Sequence, residues 1–253
     1  MRVFALSDLH VDYDVNARWV DAISMSDHQN DVLILAGDVS DSLSLLQWCL
    51  ETLARRFRQV LFVPGNHDLW VIRETRPMDS LEKFDELSRI AAASGVSMHA
   101  FHAHGVAIVP LLGWYDYSFG EPSEDLQAVW MDYRACRWPP NFQAPDIAAH
   151  FTGLNATERS TDADTVITFS HYLPRIDLMP SYIPAEHRML YPVLGATVLE
   201  DQLRRLDSSI HVYGHSHVNR DVEIDGVAYV NNAFGYPQET RITSKRLQCV
   251  YER

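Results

Sequence analysis

Five short blocks carry oxygen and nitrogen donors: Asp8-Leu9-His10, Gly37-Asp38-Val39-Ser40-Asp41, Gly65-Asn66-His67-Asp68, Ser170-His171-Tyr172 and Gly214-His215-Ser216-His217. Seven of their side chains are candidate metal ligands: Asp8, His10, Asp38, Asn66, His171, His215 and His217. That is enough for two divalent cations, and such a pair suits attack on phosphorus. One block alone says little, because Asp-x-His is a common turn and Gly-Asn-His-Asp a common loop with Asx-type hydrogen bonds. The set says more, because the blocks sit where strands should end. Strand C-termini converge on the binding crevice of an open α/β sheet. The two-residue spacing of Asp8 with His10, and of His215 with His217, predicts that each pair points to one side of extended chain.

The elements that must position these blocks are readable. Continuous apolar runs predict strands at Arg2–Leu6, Asp31–Ala36 and Gln59–Val63, with helical patterns at about 17–27 and 42–57 between them. That alternation predicts a mainly parallel sheet covered on both faces. An amphipathic helix follows at about 79–94, and later strands at Gly105–Leu112 and Asp164–Phe169. After a helix at about 195–206 comes a strand at Ile210–Tyr213. Val218–Ile224, Gly226–Asn231 and Leu247–Glu252 read as short antiparallel strands, and Asp225-Gly226 is a hairpin signal. Residues 113–150, rich in Trp, Tyr and Pro, and residues 172–194, with four prolines, resist assignment. Such irregular segments often serve as lids or binding loops. No repeat or flexible linker interrupts the chain, so one domain over 1–253 is expected, with a cap-like insertion at about 113–150.

Composition narrows the function classes. The chain has 253 residues, 47% of them hydrophobic, and a formal net charge of −13. That acidity argues against binding an extended nucleic acid, which needs a basic surface. A small phosphorylated substrate is still compatible, because bound cations reverse the local sign. Cys49, Cys136 and Cys249 are far apart and read as free thiols. No apolar run has membrane-spanning length, and the N-terminus leads directly into Asp8, so a cytoplasmic location is expected. The oligomeric state is not readable.

The five blocks together resemble the signature of the calcineurin-like metallophosphoesterase superfamily: Asp-x-His, Gly-Asp-x-x-Asp, Gly-Asn-His-Asp/Glu, a lone His, and Gly-His-x-His. Every element is present between residues 8 and 217. The resemblance implies an α/β fold, a four-layer α-β-β-α sandwich of two mixed sheets flanked by helices. It also implies that Asp8, His10, Asp38 and His217 hold one cation and that Asp38, Asn66, His171 and His215 hold the other, with Asp38 shared. A hydroxide between the cations would attack phosphorus in line with the leaving oxygen, and no covalent intermediate would form. His67 would lie near the leaving group, where an imidazolium could give a proton. Asp41 would orient His67 through its other ring nitrogen; the competing reading makes Asp41 a helix N-cap. Asp68 reads as a loop-stabilising acceptor.

The donor set without cysteine suits manganese first, with iron or zinc as alternatives. Departures from the pattern set some relatives aside. Asp41 is followed by Ser42-Leu43 rather than the Arg-Gly of protein Ser/Thr phosphatases, and it occupies the place of the iron-binding tyrosine of purple acid phosphatases. The expectation is a binuclear-metal-dependent hydrolase of phosphomono- or phosphodiesters. The sharper alternative is a cyclic-nucleotide phosphodiesterase, and the alternative of another class is a non-catalytic scaffold that keeps the fold. Trp114, Tyr115, Trp130 and Tyr133 could stack a base over the site, or simply pack. Asn231 to Tyr236 is expected to line the same crevice. Arg134, Arg175 and Arg241 are weighed as phosphate contacts against ordinary surface charges.

Overall fold

The computed structural model describes residues 1–156 and 163–253. The first half contains β1 (Arg2–Leu6), α1 (Asp14–Ala22), β2 (Val32–Ala36), α2 (Leu43–Ala54), β3 (Gln59–Val63), α3 (Ser80–Ala93) and β4 (Val96–Ser97). Next come β5 (Phe101–Ala103), β6 (Val106–Pro110), α4 (Glu124–Val129), α5 (Asp132–Ala135) and α6 (Ala144–Thr152). The chain ends with β7 (Thr165–Phe169), α7 (Val198–Arg205), β8 (Ile210–Tyr213), β9 (Arg220–Ile224), β10 (Val227–Asn231) and β11 (Gln248–Glu252).

The strands form two mixed sheets, ordered β11-β1-β2-β3-β4 and β5-β6-β7-β8-β10-β9. The sheets meet face to face. Val3, Ala5, Val32, Ile34, Leu61 and Val63 of the first pack against Val106, Ile108, Ile167, Phe169 and Val212 of the second. The intervening side chains, such as Leu33, Leu35 and Phe62, point the other way and join Leu46, Leu50, Leu53 and Leu87 of the helices. Both faces of the central strands are therefore buried, which is why their sequences are continuous apolar runs rather than alternations. Each such side chain contributes about 1.5–3 kcal/mol on burial. On the second sheet, Gln202 of α7 donates to Thr152 O at 2.9 Å, and Arg204 donates to Tyr229 Oη of β10 at 3.0 Å. The result is the four-layer α/β sandwich that the resemblance implied.

Local signals account for several boundaries. Asp79 caps α3 by accepting from the Leu81 and Glu82 amides, while the Glu82 carboxylate accepts from the Asp79 amide at 2.8 Å. The β9–β10 hairpin turns on Asp225 and Gly226, both with positive φ (50° and 78°). The last third differs from expectation in its pairing. β10 is antiparallel to β9 but parallel to β8. β11 leaves that sheet and pairs antiparallel with β1 at the edge of the other. Strand propensity does not encode a partner that distant. The first helix ends earlier than the apolar pattern predicts, at Ala22 rather than about 27. The irregular insertion contains α4, α5 and α6, and its Trp114 and Tyr115 are buried core residues. They are not faces open to a base. No helix among the described residues is long and apolar enough to cross a membrane.

Candidate metal centre

The donor blocks follow β1, β2, β3, β7 and β8, and the five loops are stitched together by backbone bonds. The Asp8 amide donates to Gly37 O at 2.9 Å and the His10 amide to Asp38 O at 3.0 Å. The Gly214 amide donates to His171 O at 2.9 Å and the Gly235 amide to Asp8 O at 2.8 Å. The extended-chain reading of Asp8-x-His10 and His215-x-His217 does not hold. Asp8, His10, Asp38, His215 and His217 all have positive φ, between 43° and 68°. Such backbone is uncommon outside glycine, costs of order 1–3 kcal/mol per residue and clusters at functional sites. The side chains converge in part because the chain curls left-handed after β1, β2 and β8, whereas Asn66 after β3 keeps right-handed backbone (φ −67°).

Two donor groups result. The donor atoms of Asp8, His10, Asp38 and His217 lie within 4.8 Å of one another, and so do those of Asp38, His171 and His215. Asp38 belongs to both. His171 Nε2 is 3.2 Å from Asn66 Oδ1 and 3.0 Å from His215 Nδ1, and His10 Nε2 is 3.2 Å from His217 Nε2. All seven candidate side chains are buried.

The geometry fits cations. Three of the rings use their outer nitrogen elsewhere: His171 Nδ1 meets Ala36 O at 2.9 Å, His215 Nε2 meets Val193 O at 2.9 Å, and His217 Nδ1 meets Glu239 Oε2 at 2.7 Å. Each outer contact fixes the tautomer and aims the remaining nitrogen inward, the usual arrangement around metal-ligating histidines. Nitrogen and carboxylate or amide oxygen donors without sulfur suit manganese, iron or zinc.

Charges in the cage follow from crowding. Burial and the neighbouring rings hold His10 well below its ordinary pKa, and burial and His171 do the same to His215. Burial opposes a charge on His217 too, but Asp8 and Glu239 win and raise it to about 10. Burial likewise opposes ionisation of Asp8, yet its coupling to His217 holds it below the carboxylate range. Asp38 is pushed well above that range by burial and by Asp8 and Asp68. A bare cage therefore carries acids and rings that cannot all charge together, and cations relieve that conflict.

His67 stands at the open side. Its ring stacks on Trp70 with centroids 3.6 Å apart, and its Nε2 is 3.9 Å from Asp38 Oδ2 and 3.4 Å from Tyr236 Oη. Burial, His217 and His171 push it down to about 3, so the ring is neutral in the metal-free cage. Asp41 is not bonded to His67. Its Oδ2 pairs with Arg73 Nε at 3.1 Å and its Oδ1 is buried without a partner. It does not cap α2 either: Ser42 holds the N-cap position, without a side-chain cap bond. Burial and Asp12 raise Asp41 to about 6.

Asp68 accepts from the amides of Asp38, Val39, Ser40 and Gly65 at 2.8–3.0 Å, clamping the second and third blocks together. Gly65 must be glycine: a Cβ there would meet Asp38 Oδ1 at 2.1 Å and His171 Nε2 at 2.7 Å. Tyr236 does line the crevice, its ring 4.5 Å from that of His10. Arg175 lies elsewhere, bound to Asp177, Glu200 and Asp225.

Two residues were missed by sequence reasoning. Glu239 sits 22 positions after the ring it orients. Asp132, in the insertion, accepts from Asn66 Nδ2 at 2.8 Å and Trp70 Nε1 at 2.7 Å through Oδ1, and from Trp130 Nε1 at 2.8 Å through Oδ2. No local signal marks either; only a carboxylate amid aromatic residues hinted at Asp132.

The family model for calcineurin-like phosphoesterases matches residues 1–219. The chain belongs to the calcineurin-like phosphoesterase family. It is thus a phosphoesterase of a metal-dependent family, and the scaffold reading is set aside. Among curated relatives, the [acyl-carrier-protein] phosphodiesterase PptH of Mycobacterium tuberculosis is 28% identical over 260 residues, covering 94% of this chain and 79% of that one. The crystal structure of the phosphopantetheinyl hydrolase PptH from the same organism superposes with a TM-score of 0.78 at 25% identity, covering 98% of this chain and 95% of that one. TT1561 of Thermus thermophilus shares the fold alone, with a TM-score of 0.50 at 13% identity over 92% of this chain and 89% of that one.

Proposed function

We propose that this phosphoesterase cleaves a phosphodiester, namely the link between a phosphopantetheine arm and its carrier protein. The observation that carries the chemistry is Asp38, whose carboxylate belongs to two buried donor groups at once. The substrate reading is supported by likeness to PptH along nearly the whole chain.

Asp8, His10, Asp38 and His217 would hold one divalent cation, and Asp38, Asn66, His171 and His215 the second. Bound there, the cations supply Lewis acidity toward the phosphoryl oxygens and make water nucleophilic near neutral pH. The chain's own residues do the rest. Asp132 fixes the Asn66 amide so that Oδ1 faces His171. Trp70 holds the His67 ring by stacking, with Nε2 toward Asp38 and Tyr236. A neutral ring there can hydrogen-bond the phosphate or the leaving oxygen, and an approaching anion raises its proton affinity. Water adds to phosphorus, the bond to the carrier oxygen breaks, and that oxygen takes a proton as it leaves. Manganese is the first choice of cation, with iron and zinc as the other arms of the test.

The test compares turnover of phosphopantetheinylated acyl carrier protein, bis(4-nitrophenyl) phosphate, 4-nitrophenyl phosphate and cyclic AMP, with elemental analysis of the purified protein. Release of free phosphopantetheine, with little turnover of the monoester, is expected. Preference for the monoester or for cyclic AMP would overturn the reading.

A further inference from the structure

The loop after Trp70 and the segment around α5 form one surface beside the candidate site. The Val71 amide donates to Ala135 O at 2.7 Å and the Ser80 amide to Arg137 O at 2.7 Å. Between the two strips lies a cavity of about 300 Å³ whose lining includes Arg76, Arg134 and Arg137. All three arginines are exposed. Around them Ile72 is 59% exposed, and Met131 and Tyr133 are 38% and 37% exposed.

The charge there is opposite to that of the whole chain, which is −13. Glu74, the acid lining the cavity, is taken by buried Lys83 at 2.9 Å. No carboxylate among the described residues pairs with Arg76 or Arg137, and the Arg134 guanidinium donates to Ala128 O. Exposed apolar side chains ringed by arginines that no described carboxylate neutralises are the composition of a protein-binding face. On an acidic molecule, a local cationic face selects an acidic partner and speeds its encounter.

The face is also joined to the site. Asp132 lies between Met131 and Tyr133 in sequence and holds both Asn66 and Trp70. Trp70 in turn stacks on His67. A partner seated on the face is therefore next to the side chains that would handle its ester.

We infer that Ile72, Met131, Tyr133 and the guanidinium groups of Arg76, Arg134 and Arg137 dock an acidic protein surface that presents the diester to the cage. This deepens the carrier-protein reading above and rests on it. Nucleic acid is a poorer fit, since the chain as a whole carries a formal net charge of −13.

The test uses the double variant R76E/R137E of the full chain, loaded with manganese. Against an acidic acyl carrier protein bearing phosphopantetheine, kcat/KM should fall at least tenfold, chiefly through KM, while wild-type activity weakens with added salt. Turnover of bis(4-nitrophenyl) phosphate should stay within twofold. Unchanged carrier-protein kinetics, or an equal loss on both substrates, would overturn the docking face. A wild-type enzyme that leaves the carrier diester intact would instead defeat the substrate reading. In that event fluorescence anisotropy with labelled carrier protein still decides about the face: binding abolished in R76E/R137E upholds it, and no binding to wild type overturns it.

Discussion

Glu239 Oε2 lies 2.7 Å from His217 Nδ1, on the side of the ring opposite the nitrogen that sits 3.2 Å from Asp8. The same oxygen accepts from the Tyr236 amide at 2.7 Å, so the carboxylate is itself held. Removing such an outer contact usually lowers metal affinity about 10–100-fold. Glu239→Gln can still accept from Tyr236 but no longer supplies the charge. Isothermal titration with manganese should show one of two sites weakened by roughly that factor. Two unchanged sites would show that the ring needs no help from Glu239.

Cation binding should release a proton. His217 is raised to about 10, so near pH 7 the metal-free ring is protonated. A ligand nitrogen must be deprotonated, and the cation therefore competes with that proton. The apparent affinity should rise with pH below about 10, by about tenfold per pH unit for one proton. For the metal-free fold the sign is reversed: the charged ring's contribution is complete below about 6.5 and is lost as pH rises through about 10. Titrations in buffers of different ionisation enthalpy measure the release directly, and Glu239→Gln should reduce it. No buffer dependence would contradict a protonated His217.

Asp132→Ala strips the acceptor from three donors, Asn66 Nδ2, Trp70 Nε1 and Trp130 Nε1. Each buried donor left without a partner costs about 1–3 kcal/mol. The variant should lose at least about 2 kcal/mol of stability, visible as a lower Tm. It should also bind manganese more weakly at the Asn66 side, which a purely structural role would not change.

His67→Ala should depend on the leaving group. Loss of a group that assists the departing oxygen typically costs roughly a hundredfold or more in kcat. The loss should be large for an alkyl diester and small for an aryl one, whose oxygen leaves without help. An equal loss across a series of leaving-group pKa values would move His67 to substrate binding alone.

Gly65→Ala introduces a Cβ that Asp38 and His171 cannot both avoid, with contacts of 2.1 and 2.7 Å. The backbone there is closed by Asp68, so neighbouring ligands must shift instead. Elemental analysis should find the second cation lost and phosphoesterase activity abolished, while circular dichroism still reports the sandwich. Full metal content in Gly65→Ala would argue that the cage is looser than these distances.

Much of the fold was legible because burial on both faces leaves an unbroken apolar run. β1, β3 and β8 begin and end where the sequence predicts. The donor blocks were legible because residue type and position after a strand are local properties. Asp41 was legible only as a block member: its partner, Arg73, is brought beside it by the loop after Trp70.

The chain by itself determined the donor inventory, the strands that carry it and the family of the chemistry, since composition and periodicity act over a few neighbouring residues. Only the tertiary structure decided how the donors meet. The left-handed curl at Asp8, His10, Asp38, His215 and His217 is held by bonds between loops far apart in sequence. Glu239 and Asp132 reach the cage only once the two sheets have packed. Side-chain direction there depends on backbone torsion and long-range hydrogen bonds, and neither has a periodicity to read.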